Sequence, residues 1–140
     1  MILDIIVLAY ETDFGGVVSN TRYPEFLERG RYAMMHRAGL TVREIWETHG
    51  VQPVVRRLEI DYLGFARHED RLQLHVGIEA HGGATTVLKF HLVRPHDGAD
   101  ILRARQTLAY LNTKWRPVRV PEIYRAAMPL EESETKSTPE

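Results

Sequence analysis

The chain has no cysteine. That excludes disulfide staples, thiolate metal sites and a cysteine nucleophile. It also lacks charge of one dominant sign: 18 Lys and Arg against 19 Asp and Glu leave a formal net charge of −1. No global attraction to nucleic acid or to an anionic membrane follows from that balance. No hydrophobic run is long enough to span a bilayer. The apolar start, residues 1–11, contains Asp4 and shows neither a basic leader nor a small-residue cleavage site. A first strand is expected there, and cytoplasm is the default location. There is no Gly-x-Ser-x-Gly elbow, phosphate loop or dinucleotide fingerprint, and the 7 histidines are dispersed without metal-ligand spacing. Neither a metal nor a resident cofactor is expected.

What is present suits one globular domain: 140 residues, 44% of them hydrophobic and 26% charged. Residues 2–9 are rich in β-branched side chains and read as a buried strand. Asp13-Phe14-Gly15-Gly16 breaks that strand. From Thr21 the apolar period becomes helical: Tyr23, Phe26, Leu27, Gly30, Ala33, Met34 and Ala38 share a face, and Gly39 ends it. Asn20 or Thr21 is the expected N-cap, Pro24 suits the first turn, and Glu25 is spaced to pair with Arg29. A short helix follows at residues 41–49, capped by Thr41 and stopped by Gly50. Four strands are expected at residues 54–63, 71–80, 85–93 and 102–112, then a short helix at 121–128. The predicted domain is residues 1–128, with 129–140 a polar, disordered tail. This order gives an α+β domain whose antiparallel sheet wraps one long helix. Val87, Val93, Ala109 and Leu111 on the outer strand faces suggest that an oligomer covers that side.

The chemistry is sought at residues 10–31. Asp13 stands on a glycine loop just ahead of the long helix, whose unpaired N–H groups favour negative charge. A carboxylate beside such amides can attack, or activate water, while the amides receive an oxyanion. As an ordinary structural role, Asp13 and Asn20 would simply cap the loop and the helix. Glu28 is the second acid in reach, with an ion pair to Arg31 or Arg29 as its structural reading.

The pattern Thr12-Asp13-x-x-Gly16-x-Val18, then Tyr23 and Phe26-Leu27-Glu28-Arg29-x-Arg31, resembles the hot-dog-fold acyl-CoA thioesterases, most closely the 4-hydroxybenzoyl-CoA thioesterase group. Ile60-Asp61-Tyr62-Leu63 with Ala66-Arg67, and Arg116-Pro117 through Val120-Pro121, extend the resemblance over residues 1–127. It implies a hot-dog fold, a five-stranded antiparallel sheet around one long central helix. It also implies a homodimer or homotetramer with shared active sites, and hydrolysis of an acyl-CoA thioester without a metal.

On this resemblance Asp13 falls on the catalytic aspartate, and the amide near Asn20 on the oxyanion donor. Gly16, Val18, Ser19 and Tyr23 would line the substrate, joined by Thr85 and Thr86. Coenzyme A would enter only as part of the substrate. Its phosphates need donors, for which Arg67, Thr85, Thr86, Lys114, Arg116 and Arg119 are candidates. Ser19-Asn20 replaces the aromatic–histidine pair of many members. Asn20-x-x-Tyr23 instead resembles related long-chain acyl-CoA and acyl-carrier-protein thioesterases, so an acyl carrier protein is the alternative substrate bearer. A non-catalytic acyl-binding subunit is the reading from a different class.

Overall fold

The structure is a computed structural model that describes residues 1–131. The expected tail falls partly on residues 132–140, which lie outside the described residues. Its first part, residues 129–131, is held on the fold. Glu131 donates its N–H to the Ile78 carbonyl at 2.9 Å and pairs with Lys89 at 3.1 Å.

Five long strands form the sheet: β1 (Ile2–Ile6), β2 (Gln52–Tyr62), β3 (Arg71–His81), β4 (Thr85–Arg94) and β5 (Ala99–Leu111). Their spatial order is β1-β3-β4-β5-β2, every pair antiparallel, and the two-residue β6 (Pro117–Val118) pairs with the end of β5. The long helix α1 (Tyr23–Arg37) lies on one face, with α2 (Val42–His49) leading into β2 and α3 (Glu122–Ala127) closing the described chain. This is the predicted α+β hot-dog architecture. The strand bounds move, since β2 starts at Gln52 and β5 at Ala99. Ladder pairing, not side-chain alternation, sets those ends.

The core lies between α1 and the inner sheet face. Phe26, Leu27 and Met35 of the helix meet Leu72, Leu74, Val76, Leu88, Leu92 and Leu102, all buried. Gly30 marks the crossing over β3: a Cβ there would stand 2.6 Å from Leu74 Cδ2 and 2.8 Å from Val76 Cγ2. Only glycine lets the helix axis come this close.

Several local expectations change. The N-cap of α1 is Arg22, without a side-chain cap bond; Asn20 and Thr21 belong to a turn before it. Glu25 pairs with Arg22 at 3.0 Å, which leaves Arg29 to reach Glu11 at 3.7 Å. Arg31 is buried and donates to Gln106 Oε1 at 2.7 Å. Thr41 does cap α2, accepting the Glu44 N–H at 3.1 Å.

The outer face of the sheet carries polar side chains between its apolar ones. Its centre is charged, because β-pairing sets His75, His91, Arg103 and Asp61 in one rung and Lys89, Arg105 and Glu59 in the next. His91 bonds Asp100 at 2.6 Å, and Arg105 bonds Glu79 at 2.8 Å. Val87, Val93, Ala109 and Leu111 are half-buried around this charged centre. Exposed apolar side chains gather elsewhere, at Val55, Leu58 and Tyr62 of β2 and at Leu63, Phe65 and Phe14.

Candidate active site

The site begins where β1 ends. A single 3₁₀ turn, Ala9–Glu11, redirects the chain into a small hairpin. Ser19 N–H donates to the Glu11 carbonyl at 3.1 Å, Thr12 bridges Val18, and Asp13 N–H donates to the Val17 carbonyl at 2.8 Å. Gly16, at φ +76°, makes the tip, and its N–H returns to the Asp13 carbonyl at 3.0 Å. Asp13 is thus presented on a ladder-locked tip, exposed to solvent. Its Oδ1 accepts the Gly15 N–H at 2.8 Å, which orients the carboxylate. Phe14 beside it is fully exposed.

The other leg of the hairpin runs straight into the turn before α1. Arg22 N–H donates to the Ser19 carbonyl at 2.8 Å, and the Ser19 and Thr21 hydroxyls lie 3.0 Å apart. The Asn20 carbonyl accepts the Tyr62 hydroxyl at 3.2 Å. The Asn20 N–H has no partner among the described residues. Open amides at the head of a helix are donors for an incoming anion. Carboxylate and amide therefore ride on one continuous, hydrogen-bonded segment.

Residues 65–70 brace that segment from the side. Val18 N–H donates to the Ala66 carbonyl at 2.8 Å, and Val17 bridges Arg67. Tyr23 is buried, its hydroxyl accepting the Ala66 N–H at 3.4 Å and its ring lying against Phe26 and Tyr62. Burial raises the Tyr23 phenol above its ordinary pKa, with the Ala66 bond opposing. Arg94 holds the brace in place, donating to the Phe65 carbonyl and to Asp70, each at 2.9 Å. Its bonds to Asp97 also keep that carboxyl below the usual range.

The sequence-predicted residues thus divide. Asp13, Gly16, Val18, Ser19, Asn20, Tyr23 and Arg67 come together. Thr85 and Thr86 do not join them in this chain. β4 has 10 residues, with Arg94 at the Asp13 end and Thr85 at the other. At about 3.3 Å per residue the separation is roughly 30 Å. Thr86 is fully buried, and its hydroxyl already bridges Tyr110 at 2.7 Å and His81 at 2.9 Å. Lys114, Arg116 and Arg119 are exposed, at the far end with Thr85. Glu28 is exposed and pairs with Arg31 at 3.4 Å, the structural role expected of it. Among the described residues no three His, Cys, Asp or Glu side chains form a metal-ligand set.

Sequence reasoning passed over Glu11. It is 0% exposed; Oε1 accepts the Leu8 N–H at 2.8 Å, and Oε2 has no hydrogen bond among the described residues, with Arg29 3.7 Å away. An acid in a polar loop gives no sign of burial, which only the packing of α1 over the 3₁₀ turn produces.

The chain has known counterparts. The family model described as "Thioesterase-like superfamily" matches residues 7–128. The chain belongs to that superfamily. Within it, an acyl-CoA thioesterase, YbgC, of Haemophilus influenzae is 30% identical over 118 residues, 84% of this chain and 85% of the relative. An acyl-acyl carrier protein thioesterase of Arabidopsis thaliana, described as chloroplastic, is 25% identical over 89% of this chain; the match spans only 65% of that longer protein. Among solved structures, a probable thioesterase from Bartonella henselae superposes with a TM-score of 0.80 at 27% identity, covering 86% of this chain and 98% of that one. The superfamily match takes in the Asp13 hairpin, α1 and the whole sheet after β1.

Proposed function

We propose that this chain is a thioester hydrolase that cleaves acyl-CoA to free acid and coenzyme A, with Asp13 and the Asn20 amide as its working groups. One observation carries the reading: an exposed, oriented carboxylate and a helix-head amide without a partner among the described residues lie on one continuous, hydrogen-bonded segment. The superfamily membership and the Haemophilus relative support it.

As the thioester carbonyl is attacked, negative charge builds on its oxygen. The Asn20 N–H is the donor for that charge, a contribution worth about 3 kcal/mol per donor in sites of this kind. Two routes use Asp13. As nucleophile, its oxygen forms an anhydride with the acyl carbon and the C–S bond breaks, releasing thiolate; water then cleaves the anhydride. As general base, it takes a proton from water as the water oxygen attacks the acyl carbon; the C–S bond then breaks and the proton passes to the leaving thiolate. Either route returns one acid and one thiol.

Gly16, Val18, Ser19 and Tyr23 shape the walls beside these groups, and Thr85 contributes only between copies. Among the described residues the outer edge of β2 is unpaired, and the strand carries exposed Val55, Leu58 and Tyr62. Antiparallel pairing of two such edges would bring the Thr85, Lys114, Arg116 and Arg119 end of one copy beside the Asp13 end of the other. Those basic groups suit the phosphates of coenzyme A. Thr86 stays in the core.

A carrier-protein thioester is the second reading, favoured by the Arabidopsis relative. The deciding experiment is hydrolysis of a panel of acyl-CoA and acyl-carrier thioesters by wild type and Asp13→Asn. Wild type is expected to cleave, and Asp13→Asn, which keeps the acceptor for the Gly15 N–H, to lose at least about a hundredfold in kcat. No cleavage by wild type, or full activity in the variant, defeats the proposal. A salt-sensitive preference for the carrier substrate would select the second reading.

A further inference from the structure

We infer that Tyr62 is a positioning residue for the oxyanion turn, holding and polarising it through the Asn20 carbonyl. This rests on the thioesterase reading for its consequence in catalysis, and on geometry alone for the contact itself.

Tyr62 is the last residue of β2, a strand far from the hairpin in sequence. Its ring packs against that of Tyr23, the first residue of α1, at 5.7 Å and a tilt of 58°, and its hydroxyl donates to the Asn20 carbonyl at 3.2 Å. That carbonyl belongs to the peptide whose N–H is Thr21's. The preceding peptide, which carries the Asn20 N–H, has its own carbonyl on Ser19, and that accepts the Arg22 N–H at 2.8 Å. Both successive amides of the turn therefore have carbonyls that accept hydrogen bonds. Their N–H groups have no partner among the described residues. A peptide whose carbonyl accepts a hydrogen bond is more polarised, so its N–H becomes a better donor.

The turn has little else to fix it. Arg22, the N-cap, makes no side-chain cap bond, and Asn20 and Thr21 are exposed. The Ser19–Thr21 hydroxyl pair is local to the turn. Tyr62 is the contact that ties its carbonyl side to the sheet. Preorganised donors act on the transition state because they need no rearrangement when charge appears. A looser turn would cost turnover more than binding, because the ground-state carbonyl demands less of those amides than the oxyanion does.

Tyr62→Phe removes the hydroxyl and retains the tilted ring contact with Tyr23, so the fold and melting temperature should hold. On the best acyl-CoA substrate of the panel, kcat should fall about threefold to tenfold, the net worth of one hydrogen bond, with KM within about twofold. In a ¹H–¹⁵N spectrum of the free protein, the Thr21 amide should move upfield while amides of α2 and α3 stay in place. Unchanged kcat, or a loss carried mainly by KM, overturns the role in catalysis. Unmoved Asn20 and Thr21 amides overturn the contact. An inactive wild type, or a fully active Asp13→Asn, defeats the thioesterase reading instead, and the amide measurement then decides the place of Tyr62 without any substrate.

Discussion

Gly30 of α1 lies directly over Leu74 of β3, with room for a hydrogen and none for a methyl: the added carbon would stand 2.6 Å from Leu74 Cδ2. Two effects of Gly30→Ala oppose each other. Alanine gains about 1 kcal/mol of helix propensity. Overpacking a closed core costs about 1–3 kcal/mol. Leu74 is fully buried and Val76 is stiff at χ1, so neither can retreat easily. The overpacking term should win, lowering stability by about 1 kcal/mol in urea melts, and Gly30→Val should cost more. A variant as stable as wild type would show that the helix can lift without penalty.

Gly16 makes the opposite case. Nothing lies within 4 Å of a Cβ placed there, but φ is +76°. The cost of Gly16→Ala is therefore backbone strain alone, about 1 kcal/mol. Because this tip carries Asp13, the expected signature is a fall in kcat larger than the loss of stability explains. Paired kinetic and denaturation measurements check it.

Arg31 spans the helix–sheet interface to reach Gln106, and both are buried. Arg31→Met should destabilise by about 1–3 kcal/mol, because Gln106 keeps a buried acceptor without a donor. The pair Arg31→Met with Gln106→Leu should recover much of that, since removing both polar groups also removes the desolvation they required. A double-mutant cycle in urea reads the coupling directly. Strictly additive losses would mean the two side chains do not depend on each other.

Three of the 6 tyrosines, Tyr23, Tyr110 and Tyr124, have phenols raised above their ordinary pKa, in each case chiefly by burial. For Tyr124 the neighbouring Tyr110 and Tyr32 add to the effect. The folded state keeps these protons where the unfolded chain, with phenol pKa about 10, releases them. Their contribution is whole below pH about 10 and is lost as pH rises toward the folded values. Absorbance titration at alkaline pH should show Tyr23, Tyr110 and Tyr124 ionising only as the fold is lost. Ionisation of these three phenols before unfolding would contradict it.

Much of this molecule was legible in the residues themselves. Alternation placed β3 and β4, the helical period placed α1, and Thr41 with Gly50 bounded α2. These signals are local: each reflects a backbone geometry that its own few residues favour. Asp13 and the helix head stood out for the same reason, since a short hairpin with a glycine tip keeps near neighbours in sequence near in space.

What the sequence could not decide were relations between elements. It placed Asn20 or Thr21 as the helix cap, but Arg22 takes that position and Asn20 is held by Tyr62 from across the sheet. It paired Glu25 with Arg29, yet α1 lies against the 3₁₀ turn, where Arg29 reaches the buried Glu11. It gave Thr85 and Thr86 to a site shared between subunits, and the length of β4 sets them apart from Asp13 within one chain. It put Val87, Val93, Ala109 and Leu111 on the outer sheet face, and cross-strand register gathered charges at the centre between them. Composition and period fix how a segment folds and which of its faces avoids water. Which distant groups then meet depends on register and helix docking, and these are settled only when the whole core packs at once.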